Sequence, residues 1–381
     1  MKSDQTDLCL FDETQLLQAS TEGIKYAGSK LKLLPHILRL VGDVRPESVF
    51  DGFSGSTRVS QALAKSGYRV IANDIAVWSK VFNECYLLAS KPTAFYEDLI
   101  AHLNALKPKD GWFTENYGGV ANGADGVQSD GLKKPWQIHV TRKLDAIREE
   151  IDRIAPEPVD RSVLLTSLIL ALDQVDNTLG HYAAYLGHWS PRSFNQLVLR
   201  PPAIQRIRND HRVINQDVFS AIKDSDAELS YFDPPYGSNN EKMPPSRVRY
   251  SAYYHIWTTV CLNDRPAVFG KAKRRAETSD RLNSTPFEEF RRNESGRFIA
   301  VEAVERLLRQ TRSRYVLLSY SSGGRATAKE LHDAVASAGR LLKFVKIDHA
   351  RNVMAAMRWT NEWSRDAESG HHEYLFLLEK P

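Results

Sequence analysis

The stretch from Glu47 to Asp74 constrains the fold more than any other part of this chain. A short apolar run, Ser48-Val-Phe-Asp51, has the length and composition of a buried strand. Gly52 and Gly55 follow, where backbone can approach a ligand closely. An amphipathic helix is predicted from about Thr57, with Val59, Ala62 and Leu63 on one face. A second strand, Tyr68-Arg-Val-Ile-Ala-Asn-Asp74, ends in an acid. Strand, glycine loop, helix, strand and terminal acid form a βαβ unit, which implies an α/β protein. The acid falls about twenty residues past the loop, the Rossmann spacing that places a carboxylate against ribose hydroxyls. Dinucleotide enzymes share this logic, but their loops carry a third glycine that is missing here. A ligand without a pyrophosphate fits better, with Asp51, Gly52, Phe53, Gly55, Thr57 and Asp74 around it.

A second strand end lies far along the chain. Leu229-Ser-Tyr-Phe is apolar and aromatic, and two prolines stop it abruptly in the run Tyr231-Phe-Asp-Pro-Pro-Tyr236. Proline lacks the amide hydrogen and has a fixed φ, so a sheet ladder cannot continue. Asp233, Pro234, Pro235 and Tyr236 are thereby presented at the carboxyl end of a strand, where open α/β sheets bind ligands. An exocyclic amine on a nucleobase is a poor nucleophile, because its lone pair is delocalised into the ring. A carboxylate and a carbonyl that accept its hydrogens would free that lone pair. Asp233 supplies the first, Pro234 the second, and Tyr236 offers a ring on which the base can stack. Near the N-terminus, Gly28 permits a tight turn and Lys30 stands at a helix start. A cation there opposes the helix dipole and calls for an anion, for which a ligand carboxylate would serve. Arg212-Val-Ile is a further strand, followed by Asp217 and Val218.

These stretches together carry a resemblance. Asp233-Pro-Pro-Tyr236 resembles the catalytic motif of amino-methyltransferases that use S-adenosylmethionine. Tyr26-Ala-Gly-Ser-Lys30 resembles the first motif of the Dam-like class of adenine-specific DNA methylases, and Phe53 and Gly55 match its glycine loop. Ser56 or Thr57 stands where a further glycine is common. The resemblance implies that Tyr26 and Lys30 contact the methyl donor and that Asp217 and Val218 lie near its adenine. It implies S-adenosylmethionine as cofactor, Asp233 beside it, and no metal. The implied reaction is methyl transfer to the 6-amino group of adenine in double-stranded DNA, by base flipping and direct displacement. It further implies a Rossmann-like sheet with an antiparallel C-terminal edge hairpin, and a target-recognition region inserted before Asp233. A cytosine-amine or RNA adenine methylase is the first alternative; a non-catalytic DNA-binding protein on the same fold is the second. A cognate restriction endonuclease is a partner such enzymes can have.

The rest of the chain fits around those motifs. Residues 1–20 are polar and read as an arm. Residues 21–76 and 203–381 would form the catalytic domain, and 77–202 a helical insertion. Within the insertion, helices are predicted over Val77–Ser90, Thr93–Leu106, Trp136–Ile154 and Arg161–Asp173. Gly111 to Gly126 is a loop rich in glycine and aromatics. His181 and His188 lack the carboxylate or cysteine partners of a metal site. After a polar loop from Gly237 to about Ser251, a cluster of Tyr250, Tyr253, Tyr254, His255 and Trp257 precedes Lys271, Lys273, Arg274 and Arg275. Aromatics beside cations suit a nucleic-acid strand with an exposed base, or equally a helix that packs its aromatics on the core. Net charge is only +4, yet 265–314 alone carries an excess of six positive charges. This fits one positive face for a polyanion, or an ordinary solvated helical surface. Helices at Val301–Leu308 and Ala328–Ala338 and strands at Tyr315–Tyr320, Leu342–Ile347 and Tyr374–Leu378 complete the pattern. Three scattered cysteines, no membrane-length apolar run and no signal peptide point to the cytoplasm and to no membrane.

Overall fold

The computed structural model describes residues 20–121, 123, 125–155, 157–205, 208–237, 249–279, 285–349 and 371–381. The expected N-terminal arm and most of the polar loop after Tyr236 lie outside these residues. The chain is a mixed α/β protein around a largely parallel seven-stranded sheet. Its strands are β1 (Ser48–Asp51), β2 (Arg69–Asn73), β3 (Arg212–Ile214), β4 (Leu229–Phe232), β5 (Tyr315–Ser321), β6 (Arg340–His349) and β7 (His371–Glu379). Their spatial order is β6-β7-β5-β4-β1-β2-β3. From β3 through β5 every neighbouring pair is parallel. Strand β7 runs antiparallel to both β5 and β6. The chain builds outward from β1 to β3 on one side, then returns to lay β4 on the other. The crevice between β1 and β4 is therefore a topological switch point, where open sheets bind ligands.

Strand alternation sorts the core into two layers. Phe50, Ile71, Phe232, Val316, Leu318 and Phe376 pack on one face with helices α11 (Ile299–Gln310) and α12 (Ala328–Ala338). Val49, Val70, Leu229, Leu317 and Leu375 pack on the other with α1 (Leu34–Val44) and α2 (Arg58–Lys65). A 3₁₀ turn, Lys30–Leu33, leads into α1 and holds Lys30 at the rim of that second layer.

A third core belongs to a helical block: α3 (Val77–Asn83), α4 (Thr93–Ala105), α5 (Trp112–Tyr117), α6 (Ile138–Ile154) and α7 (Pro158–Gln174). The chain continues from α3 as a π-helical turn over Glu84–Leu88. The loop expected from Gly111 opens with α5, because Asp145 on α6 accepts from the Phe113 and Thr114 amides, each at 2.9 Å. This core also takes in Tyr253, Tyr254, Ile256, Trp257, Val260 and Cys261. They lie on or next to α9 (Tyr250–Tyr253) and α10 (His255–Leu262), past β4 in sequence, within the stretch expected to be catalytic. Arg148, buried on α6, fastens α10 by donating to the carbonyls of Val260 and Cys261. Those are the end-of-helix carbonyls that lack a partner within α10. Among the described residues no helix is long and apolar enough to cross a membrane.

Candidate active site

The switch point opens into a cavity of about 390 Å³. Its floor is acidic because three neighbouring parallel strands end there. Asp51 closes β1, Asp74 follows β2 and Asp233 follows β4, all facing the same space. Asp51 is fully buried. Its Oδ2 accepts from the Ser60 hydroxyl at 2.6 Å, while Oδ1 has no hydrogen-bond partner in the protein. Burial, only partly offset by Ser60, pushes this carboxyl up to about 7. A buried carboxylate oxygen without a partner is rare in folded proteins and marks a place for a donor from a ligand.

Asp74 is held differently. Its Oδ2 accepts from the Gly55 amide and its Oδ1 from the Ala76 amide, each at 2.8 Å. Each oxygen keeps acceptor capacity for a further hydrogen. Burial raises its carboxyl, against those amide hydrogen bonds. Gly55 has φ of +47°, and a Cβ there would sit 3.1 Å from the Tyr26 hydroxyl. Both the positive φ and the close approach favour glycine at this point.

The wall opposite the loop is aromatic. Tyr26 stacks on Tyr254 with ring centroids 4.7 Å apart, and Trp78 and Tyr250 pack against it at 5.8 and 5.5 Å. Backbone hydrogen bonds lock this cluster: the Ala27 amide donates to the Tyr254 hydroxyl, and Tyr250 donates to the Ala27 carbonyl. Gly28, at φ +81°, lies under the hydroxyls of Tyr250 and Tyr236, which a Cβ would meet at 2.9 and 3.1 Å. Tyr236 leans on Tyr320, and its carbonyl accepts from the Arg325 amide at 2.8 Å, which fixes the end of the Pro-Pro-Tyr turn. Glu288, which is buried, adds a fourth acid at the rim. Its carboxylate accepts from the Tyr250 amide at 3.0 Å, and burial pushes it up to about 7.

Lys30 does meet an anion, but the anions are the protein's own. Its ammonium lies 2.9 Å from Asp233 Oδ1 and 2.9 Å from Glu373 Oε1 on β7. A weaker contact of 3.4 Å reaches the Gly28 carbonyl. Burial alone would lower Lys30, yet the two carboxylates hold it well above the ordinary lysine value. For Asp233, burial pushes the carboxyl up, Lys30 pulls it down and Glu373 pushes it up again; the net direction is upward. Ser319 on β5 donates to the same Glu373 oxygen at 2.9 Å.

Most of the residues singled out in the sequence converge here. Tyr26, Lys30, Asp51, Gly52, Phe53, Gly55 and Asp74 line the cavity, as do Asp217, Val218, Asp233, Pro234, Pro235 and Tyr236. Asp217 also caps a short helix, α8 (Val218–Ala221), through the Phe219 amide. Thr57 is not on the wall. It is fully buried, with φ of +63°, and its hydroxyl accepts from the Gln61 side chain at 2.8 Å. Its backbone takes the conformation glycine favours, which explains the glycine common at this place in the resembled motif.

The aromatic and basic set after Ser251 divides. Tyr253, His255 and Trp257 are buried and pack in the helical core instead of facing outward. The His255 ring donates to the Tyr182 carbonyl, and burial lowers the ring to about 3. Arg275 is buried and grips Asp264 through both guanidinium nitrogens, at 2.8 and 2.6 Å. Lys271 is exposed, and Lys273 and Arg274 are half-buried, with Arg274 over the Phe269 ring. Much of the expected positive face is also internally paired, as Arg291 with Glu289, Arg297 and Arg309 with Glu305, and Arg314 with Glu379. His181 stacks on Tyr253.

Among the further residues that line the cavity, Trp78 and Glu288 were not singled out in the sequence, and Tyr250 and Tyr254 were read only as part of the aromatic cluster. Glu373, which holds Lys30, was missed as well. Its signal was present, since a strand that alternates inward Leu375 and Leu377 puts Glu373 at an inward position.

A sequence profile described as D12 class N6 adenine-specific DNA methyltransferase matches residues 26–287. Among curated relatives, the modification methylase LlaI of Lactococcus lactis subsp. lactis is 27% identical over 334 residues, covering 81% of this chain and 48% of that protein. The modification methylase StsI of Streptococcus sanguinis is 27% identical over 322 residues, covering 81% and 45%. The type II methyltransferase M.NlaIII of Neisseria lactamica is 24% identical over 368 residues, covering 94% of this chain and 99% of that protein. The chain thus spans about half the length of the LlaI and StsI methylases and nearly all of M.NlaIII.

Proposed function

This chain belongs to the D12 class of N6 adenine-specific DNA methyltransferases, and on that premise we propose that it methylates the 6-amino group of adenine at a specific site in double-stranded DNA. S-adenosylmethionine is the proposed donor. The observation that carries this reading is the convergence of Asp51, Asp74 and Asp233 in one cavity at the switch point. The donor is a cation at its sulfonium and at its amino group. The unpartnered Oδ1 of Asp51 suits that amino group, and the free lone pairs of Asp74 suit ribose hydroxyls. Tyr26, Phe53 and Val218 offer apolar surface for the remainder, with Asp217 at the edge.

When bound, the donor would supply a methyl group activated by its sulfonium: the N6 lone pair would bond the methyl carbon, the electron pair of the broken carbon–sulfur bond would stay on sulfur, and the proton given up by N6 would pass through Asp233 to solvent. Asp233 accepts an N6 hydrogen, the Pro234 carbonyl accepts the other, and Tyr236 stacks on the extruded base. Catalysis by these groups is positioning plus polar preorganisation. Extruding the adenine costs a few kcal/mol, of which stacking on an aromatic returns about 1–3 kcal/mol. The helical block, 77–202 together with α9 and α10, is the proposed target-recognition region. Residues 21–76 and the rest of 203–381 form the proposed catalytic domain. A restriction endonuclease as partner and the cytoplasm as location go with this reading.

The test is product analysis. Purified protein, labelled donor and duplex DNA should yield N6-methyladenine on nucleoside digestion and mass spectrometry. N4-methylcytosine, or methylation of RNA alone, would replace this reading with its rivals.

A further inference from the structure

Lys30 does not serve Asp233 alone. The ammonium is shared between two carboxylates at equal distances of 2.9 Å, and the second, Glu373, comes from the reversed strand β7. Glu373 lies outside the residues matched by the family profile. It is 3% exposed, at a position where the strand's alternation calls for an apolar side chain. A buried carboxylate is costly unless paired and hydrogen-bonded. Glu373 is both, through Lys30 and through the Ser319 hydroxyl at 2.9 Å. Lys30 is 5% exposed, and its nearest acceptors are Asp233, Glu373 and the Gly28 carbonyl. The lysine's three N–H groups are thus directed into the protein.

We infer that Glu373 is a positioning residue for methyl transfer: it draws Lys30 partly away from Asp233, fixes the ammonium's orientation, and leaves the trio with one net negative charge facing the cavity. The inference rests on the methyl-transfer reading above. With Glu373 present, Asp233 is oriented by a cation that it does not monopolise, so its carboxylate still accepts strongly from the target amine. Without that second charge, Lys30 pairs with Asp233 alone and weakens it as an acceptor. The other ionisable groups facing Asp233 are the Asp51 carboxyl and the phenols of Tyr26, Tyr231, Tyr236 and Tyr250, all raised by burial. Those phenols stay neutral at working pH. Glu373 and Lys30 are therefore the charges that set Asp233, with Asp51 acting on it across the floor.

The experiment compares wild type, E373Q and S319A by kcat, donor affinity and pH profile. E373Q keeps an acceptor for Lys30 but removes the charge. It should lower kcat about ten- to a hundredfold, the size of effect that misplaced groups produce, and move the acidic limb of the kcat profile to lower pH. Donor Kd, measured calorimetrically without DNA, should stay within about threefold, a shift under 1 kcal/mol. S319A should lower kcat in the same direction by less, with its acidic limb unmoved. An E373Q enzyme with unchanged kcat and pH limb would overturn the inference. So would a loss of kcat and donor affinity together with an unmoved limb, which would mark Glu373 as mere support for the fold. A wild type that makes no N6-methyladenine would instead sink the function reading on which the inference stands.

Discussion

Among single residues, Asp51 makes the sharpest statement. Its carboxyl, pushed up to about 7 by burial, has one oxygen without a partner. In an unfolded chain an aspartate ionises near pH 4 (about 3.9). Between those values the folded protein binds a proton here that the unfolded chain does not. This carboxyl's share of stability is therefore full below about pH 4 and lost as pH rises through about 7. A cationic donor favours the ionised form, so donor binding near pH 6 should release protons. Calorimetry in buffers of different ionisation heat should show that release, and Asp51→Asn should reduce it. The same substitution should weaken donor binding about ten- to a hundredfold, as expected for losing 1.5–3 kcal/mol from a hydrogen bond to a charged group. Proton release equal to wild type in the variant would mean that Asp51 does not meet the donor's charge. Asp51, Asp74 and Asp233 were legible in the sequence because each ends or follows a strand. For Glu373 the alternation of β7 marks an inward position but no partner, because Lys30 lies almost a full chain length away, and only the three-dimensional sheet brings β7 beside the turn that carries Lys30.

At the scale of elements, local pattern located helices and strands well where one periodicity dominated. Helix α12 was expected over Ala328–Ala338 and spans those residues, set by a capping box between Thr327 and Glu330. For α10 the sequence left two readings, a core helix and a nucleic-acid surface, because its His255, Ile256, Trp257, Thr259, Val260 and Cys261 show no polar stripe. The apparent aromatic surface for nucleic acid turned out to be core. The start of α2 is a conflict that can be measured. Thr57 holds φ of +63°, which costs an L-residue about 1–2 kcal/mol. Thr57→Gly relieves that strain but loses the bond from Gln61, worth about 0.5–1.5 kcal/mol. Its stability in urea should stay within about 1 kcal/mol of the parent. Thr57→Val keeps the strain and loses the bond, and should cost about 1–3 kcal/mol. A glycine variant less stable than the valine variant would show that the loop is not strained at this residue.

On the scale of the whole molecule, charge must be read after packing. Of the cations in 265–314, Arg265, Arg275 and Arg314 are held by acids outside that stretch, Glu149, Asp264 and Glu379, while Lys271, Lys273 and Arg274 stand exposed or half-buried near the helical block, beside the buried Lys134. If DNA runs there, Lys271→Gln and Lys273→Gln should each lower the slope of log affinity against log salt by about 0.9. Arg275→Gln should leave the slope alone and cost stability instead, because Asp264 would lose its buried partner. Equal slopes in both lysine variants would move the DNA track elsewhere on the surface.

The central claim is that Asp233, presented by β4 into a cavity shared with Asp51 and Asp74, directs methyl transfer to adenine N6. Methylation-sensitive long-read sequencing of DNA from a host expressing either wild type or Asp233→Ala tests it most directly. The predicted result is N6-methyladenine confined to one short sequence with the wild type and none above background with the variant, while the purified variant still binds donor. Equal N6-methylation by both proteins, or none by the wild type, would contradict the claim.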